Sequence, residues 1–144
     1  MRTRHALATY LLVFLTLSFA NAQTIVGDSI LESLSTVPGD ATRGRVIVAS
    51  RQTGLCLLCH SGPFPEERFQ GNLAPELSIS AARLTAPQLR ARIVDASHFN
   101  PNTIMPAYYK TAHLRRVAPK FLGQTILNGQ EIEDVVAYLV SLNQ

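Results

Sequence analysis

The sequence predicts an all-α domain, and three observations carry that prediction. Three stretches join helix-starting residues to apolar positions at helical spacing: Asp40 to about Ser50, Thr85 to just before Asn100, and Asn128 to the C-terminus. No stretch carries a strand signal, such as the alternation of a half-buried strand. The only two cysteines stand beside a histidine in Cys56-Leu57-Leu58-Cys59-His60, directly after the first helical stretch.

The N-terminus reads as an export leader. Arg2 and Arg4 form a basic start, Leu7 to Phe19 is an apolar run, and Ala20-Asn21-Ala22 is a small-x-small cleavage pattern. Cleavage after Ala22 leaves 122 of the 144 residues, enough for one domain. The apolar run is too short for a membrane span, so none is expected once the leader is removed. Arg2 and Arg4 leave with it, so the 13 basic residues fall to 11 against 10 acidic ones. That near-neutral balance, with no basic block and no aromatic platform, gives nucleic-acid binding no support.

Residues 23–39 read as an N-terminal arm ahead of a domain over residues 40–144. Asp28 can cap one helical turn carrying Ile30, Leu31 and Leu34, which Pro38-Gly39 breaks. Such an arm either folds back on its own domain or lies on a partner. Asp40 is a good N-cap for the first helix, with Ile47 and Val48 on one face and Gly54 marking the end. Gly44 inside that helix costs about 1 kcal/mol against alanine, so it points to close approach by another element.

C-x-x-C-H has a chemical reason behind it: two thiols at this spacing can add to the two vinyl groups of one porphyrin, and the adjacent histidine reaches the iron. Cys56 and Cys59 are therefore candidates for covalent haem attachment, one haem c per chain, and His60 for an axial ligand. A zinc site would need further ligand pairs that the chain lacks. A disulfide between such close residues would stabilise little. A haem-free thiol–disulfide oxidoreductase stays open as an alternative, although no βαβ pattern accompanies the motif.

The loop after His60 is rich in turn formers, among them Gly62, Pro63, Pro65, Gly71, Asn72 and Pro75, and is expected to wrap the His60 side of the haem. Glu66, Glu67 and Arg68 read as a solvated rim. Thr85 and Gln88 form a capping box for the second helix, whose Leu89, Ile93 and Val94 share a side. Arg83, Arg90 and Arg92 either meet haem propionates or, for most of them, solvent. Met105, the only methionine besides Met1, sits between Pro101 and Pro106 in a loop held extended, which suits a thioether aimed at iron. His98 and His113 are its competitors for that axial position, and Tyr108 and Tyr109 are expected near the haem edge. In the last helix Asn128 and Glu131 form the start, with Glu133 and Asp134 complementing the N-terminus. Ile132, Val135, Val136 and Leu139 make its buried stripe, and Tyr138 is placed to cover Gly44.

These residues together resemble a class I cytochrome c, with helices packed around one covalently attached haem. More narrowly they resemble the SoxX family, the monohaem subunit of SoxAX cytochromes of thiosulfate oxidation. The likeness rests on Pro38-Gly39-Asp40, Arg43-Gly44-Arg45, the Cys56–His60 motif and Phe69 to Pro75. It continues through Gln88 to Ala96, Thr103 to Tyr109 and Glu131 to Leu139.

The resemblance implies thioethers at Cys56 and Cys59, His60 and Met105 as axial ligands, the Pro75 carbonyl as acceptor for the histidine's second N–H, and Leu77 against the haem face. It implies a periplasmic electron-transfer subunit paired with a SoxA-like cytochrome in an L-cysteine S-thiosulfotransferase complex. That complex conjugates thiosulfate to a cysteine of a SoxYZ-like carrier and passes electrons to a downstream acceptor. This chain would hold no catalytic site of its own. A free-standing periplasmic monohaem shuttle is the alternative within the same fold.

Overall fold

The structure, a computed structural model, describes residues 24–114 and 117–143. The leader and its cleavage site lie outside the described residues. Among the described residues there are four α-helices: α1 (Ala41–Ala49), α2 (Leu77–Ala81), α3 (Ala86–Val94) and α4 (Gly129–Ser141). Short 3-10 turns occupy Cys56–Leu58, Ala96–His98 and Pro119–Phe121. Among the described residues there is no strand, only an isolated antiparallel bridge between Val26 and Ser29.

Local chemistry sets the helix starts. The Asp40 carboxylate accepts the Arg43 N–H at 2.9 Å and opens α1. Gln88 Oε1 accepts the Thr85 N–H at 2.8 Å at the head of α3. At α4, Asn128 Oδ1 accepts the Glu131 N–H and Glu131 Oε2 accepts the Asn128 N–H, at 2.9 and 2.8 Å. The expected stripe of Ile132, Val135, Val136 and Leu139 is buried along α4.

The crossing of α1 and α4 is the centre of the packing. A Cβ on Gly44 would run into the Asp134 carbonyl and lie 2.9 Å from Tyr138 Cβ, so only glycine lets the helices approach this closely. Gly39 has the same relation to Glu133 and Ala137. Tyr138 covers Gly44 as expected, and its ring meets Phe64 at 5.7 Å between centroids.

The arm folds back on its own domain. Ile30 is 2% exposed and joins the core. Its N–H donates to the Pro87 carbonyl at 3.1 Å, and its carbonyl accepts from Arg90 Nη1 at 2.8 Å. The Leu34 N–H donates to Glu133 Oε1 at 2.9 Å, while the Leu34 carbonyl fits against Gly129.

The helical turn expected after Asp28 does not form. Asp28 instead accepts from Ser29 Oγ and Gln88 Nε2, and the backbone donors that a turn would use internally go to α3 and α4. Leu31, expected on the apolar face of that turn, is exposed.

One further expectation is corrected by this clasp. Arg90 meets neither solvent nor a propionate site. Its Nε and Nη2 donate to the two Glu133 carboxylate oxygens at 2.6 and 2.8 Å, with side-chain exposures of only 9% and 6%. Glu133 and Asp134 do more than complement the start of α4. Asp134 accepts the Asp40 N–H and a two-pronged contact from Arg43 Nε and Nη2, each at 2.8 Å. Adjacent carboxylates on α4 thus hold the arm and α1.

Candidate functional site

The Cys56–His60 motif is shaped by its approach. α1 ends at Ser50, whose carbonyl accepts the Leu55 N–H at 2.9 Å across a four-residue turn. Gly54 was expected to mark the helix end. Its lack of a side chain instead lets it press against the Ile47 carbonyl, where a Cβ would collide. The left-handed residue that reverses the chain is Leu55, at φ 60°. A single 3-10 turn follows, with the Cys59 and His60 N–H groups both donating to the Cys56 carbonyl, at 3.1 and 2.9 Å.

Residues 61–75 then wrap the motif's backbone. The Gly71 N–H donates to Leu57 O at 2.9 Å, and the Leu73 and Ala74 N–H groups share Cys59 O at 3.0 Å each. A Cβ on Gly71 would lie 2.6 Å from Cys59 Cα, so this contact too requires glycine. Gln70 fixes the loop from inside: Oε1 accepts the Gly62 N–H at 2.6 Å, and Nε2 donates to Phe64 O and Glu67 O at 2.9 and 3.1 Å. Phe64, 1% exposed, anchors this loop in the core.

The wrap brings the Pro75 carbonyl to 2.6 Å from His60 Nδ1. A carbonyl can only accept, so Nδ1 carries the proton and Nε2 keeps its lone pair for a metal. Leu77 opens α2 and is buried. Its N–H donates to Ser61 O at 2.9 Å.

A cavity of about 620 Å³ gathers Cys56, Cys59, His60, Pro75, Leu77 and Met105 along its walls. The rest of its lining is largely apolar and includes Val48, Ile93, Leu127, Val135 and Leu139. That volume lies within the ordinary range for cofactor sites, about 300–1,000 Å³. Met105 is half-buried, and its N–H donates to Thr103 Oγ1 at 3.1 Å. Tyr108 also lines the cavity. It ties three segments together: its N–H donates to Ile93 O at 3.1 Å, its carbonyl accepts from Ile126 and Leu127, and its hydroxyl donates to Gly54 O at 2.6 Å. Tyr109 packs against the core beside it.

His98 and His113 are exposed, and neither is among the cavity walls. His98 stacks edge-on against Phe99, and His113 sits at φ 58°.

The electrostatics disfavour Cys56 as a reactive thiolate. Burial pushes the Cys56 thiol up to about 11, only partly offset by hydrogen bonds from its neighbours, of which Tyr108 is the foremost. A redox-active cysteine needs the opposite, a stabilised thiolate. Burial likewise pushes the Tyr108 hydroxyl far above its usual range.

A haem fits this donor set. Two thiols, an imidazole with a free Nε2 and a thioether along one largely apolar cavity are what a covalently bound porphyrin requires. The Tyr108–Gly54 link and the Gln70 clasp were not visible in the sequence. The only hint was a polar Gln beside Gly71 in a proline-rich loop.

No family model matches the chain, and no curated protein matches it. Among solved structures the chain is similar to one from the crystal structure of SoxXA from P. pantotrophus, at 35% sequence identity with a TM-score of 0.76. The likeness covers 84% of this chain and 94% of that chain. The fold is all-α and class I cytochrome c-like, as the sequence led one to expect.

Proposed function

The chain belongs to the family of the SoxXA chain that it matches, and we propose on that footing that it is the SoxX-type electron-transfer subunit of a SoxAX cytochrome. Cys56 and Cys59 would hold one haem c through thioethers, with His60 Nε2 and Met105 Sδ as its axial ligands. The observation that carries this is the Pro75–His60 hydrogen bond, which fixes the imidazole tautomer at the wall of the cavity that Met105 and both cysteines share.

The bound haem would supply reversible one-electron chemistry at its iron. The chain's own residues explain why relay is its task. Both cysteines are consumed in attachment, so no thiol remains as nucleophile or sulfur carrier. His60 and Met105 would both be taken up as ligands to the iron, which would leave substrate no place on the metal, and a His/Met pair favours a high potential. The largely apolar walls would limit water around a bound haem.

Joining thiosulfate to a carrier thiol forms one S–S bond and releases one proton and two electrons. This subunit would take those electrons singly from the catalytic haem of a SoxA-like partner and pass them to a downstream acceptor. The cysteine that is modified would be that of a SoxYZ-like protein. Export by the leader at residues 1–22 would place the matured chain in the periplasm, where c-type haem is attached.

Expression with its neighbouring genes in a periplasm that matures c-type cytochromes tests this directly. The expected result is a chain that stains for haem on a denaturing gel and co-purifies with a second cytochrome. A haem-bearing monomer that never retains a second cytochrome would point to a free-standing shuttle. A chain without haem would sink both readings and return the thiol–disulfide alternative.

A further inference from the structure

We propose that the Asp95–Lys110 ion pair is a latch that keeps Met105 on the haem iron, which makes both residues positioning residues for the axial ligand. This rests on the reading that Met105 ligates a haem fastened at Cys56 and Cys59. Met105 rides on a loop that leaves the end of α3 at Asp95 and returns at Lys110. Lys110 Nζ donates to Asp95 Oδ2 at 2.9 Å across the neck of that loop. Two backbone bonds close the neck beside it. The Tyr108 N–H donates to Ile93 O at 3.1 Å, and the Tyr109 N–H to Val94 O at 3.3 Å.

Beyond the neck the loop is tied to itself. The Asn100 N–H donates back to Ala96 O at 3.2 Å, and the Thr103 N–H to Asn100 O at 3.0 Å. The Asn102 N–H donates to Asn100 Oδ1 and the Met105 N–H to Thr103 Oγ1, at 3.0 and 3.1 Å. Among the described residues no hydrogen bond or ion pair carries residues 100–107 to a part of the chain outside this loop. A segment bonded in this way moves as one body about its neck. Ile104 is exposed on it, while Met105 lies half-buried on the cavity wall at the margin of the core. The neck therefore decides how firmly the thioether is presented to the cavity.

The Asp95 carboxylate serves both sides of that neck. Oδ1 accepts the Ser97 N–H at 3.1 Å, capping the turn with which the loop begins, and Oδ2 accepts from Lys110 where the loop ends. The side chains are 15% and 35% exposed, so the contact is shielded more than a surface pair and is charge-assisted. Lys110 also brings its cation to the C-terminal end of α3, where unpaired helix carbonyls favour it. Burial alone would raise the Asp95 carboxyl, but hydrogen bonds from Ser97 and Lys110 outweigh it and hold the group below its ordinary range.

The test uses the full chain matured with haem, carrying Asp95→Asn, Lys110→Met or both. Asparagine keeps an acceptor for the Ser97 N–H while losing the charge that holds Lys110. Glu66→Gln is the control, since it removes one carboxylate charge from an exposed pair with Arg45 in the loop after His60. Two quantities are measured: the absorption band of methionine sulfur on ferric iron, and the rate at which cyanide enters the ferric iron, which reports how often Met105 lets go. Each single latch variant should weaken the band and speed cyanide entry about 5- to 30-fold, the factor that goes with about 1–2 kcal/mol. The control should leave both unchanged. The double variant should do no more than either single one, because both remove the same contact. Lys110→Arg keeps the charge and should stay close to the parent. Lys110→Met carries the test if Asp95→Asn does not accumulate. Latch variants matching the parent in band and rate, or single effects that simply add, would overturn the latch alone. A parent chain without haem, or without the sulfur band, would overturn it together with the reading beneath it.

Discussion

Glu133→Ala is expected to destabilise the protein by about 3–5 kcal/mol, the usual result of breaking a buried ion pair on one side. The substitution strands the Arg90 guanidinium in a site where its side chain is 9% exposed. It also removes the acceptor of the Leu34 N–H, so the arm loses its hold on α4 at the same stroke. Against a typical domain stability of about 5–15 kcal/mol, that is a large fraction. Urea unfolding should show the loss, and amide exchange should rise first in residues 24–39. Arg90→Met with Glu133→Leu should recover most of it, because an apolar pair leaves no stranded charge. A single-variant loss under about 1 kcal/mol would contradict the clasp, since exposed pairs contribute only that much.

The same pair sets a pH dependence. Burial alone would raise the Glu133 pKa, but hydrogen bonds from Arg90 and the Leu34 N–H outweigh it and hold the carboxyl below the ordinary 4.5. A group whose folded pKa is depressed stabilises the fold above its unfolded value. That contribution is lost as pH falls through the folded one. Asp134 is lowered too, chiefly by Arg43. Stability should therefore be flat from neutral pH to about 4.5 as far as these groups decide it, and fall below that. Glu133→Gln should flatten part of the fall.

Met105→Ala is expected to change the redox chemistry more than the fold. The side chain is half-buried and packs only at the margin of the core, so its loss opens space beside the cavity without exposing the centre. On the proposed ligation it removes the axial sulfur, leaving His60 as the one protein ligand. The midpoint potential should drop, since a thioether ligand raises it. The reduced iron should then take up carbon monoxide. His98 and His113 are exposed and outside the cavity, so neither is placed to substitute. An unchanged potential and unchanged axial-ligand spectra would rule out Met105 as the ligand.

What the sequence made legible was chemistry that is local in the chain. The Asp40 and Asn128 caps, the Thr85–Gln88 box and the α4 stripe each lie within a few residues and were read correctly. Gly44 was legible because a glycine inside a helix is costly unless something approaches it, and α4 does. The Arg90–Glu133 pair was not legible. Its partners are 43 residues apart, and nothing local distinguishes a buried arginine from a solvated one.

The arm shows the same limit. Asp28 has the residue type of a cap, but its neighbour Ser29 and the distant Gln88 claimed its oxygens, and long-range partners claimed the backbone donors that follow. At the motif itself Gly54 was the natural choice for a left-handed residue, yet packing against Ile47 used the glycine and left Leu55 to reverse the chain. The short α2 escaped notice because Leu77–Ala81 has no side-chain cap and is only five residues long.

The most direct measurement is the absorption spectrum of the exported, reduced chain before and after carbon monoxide. A c-type haem spectrum that the gas leaves unaltered is the result predicted for an iron held between His60 and Met105. A colourless chain, or a spectrum that shifts at once when the gas is added, would contradict it.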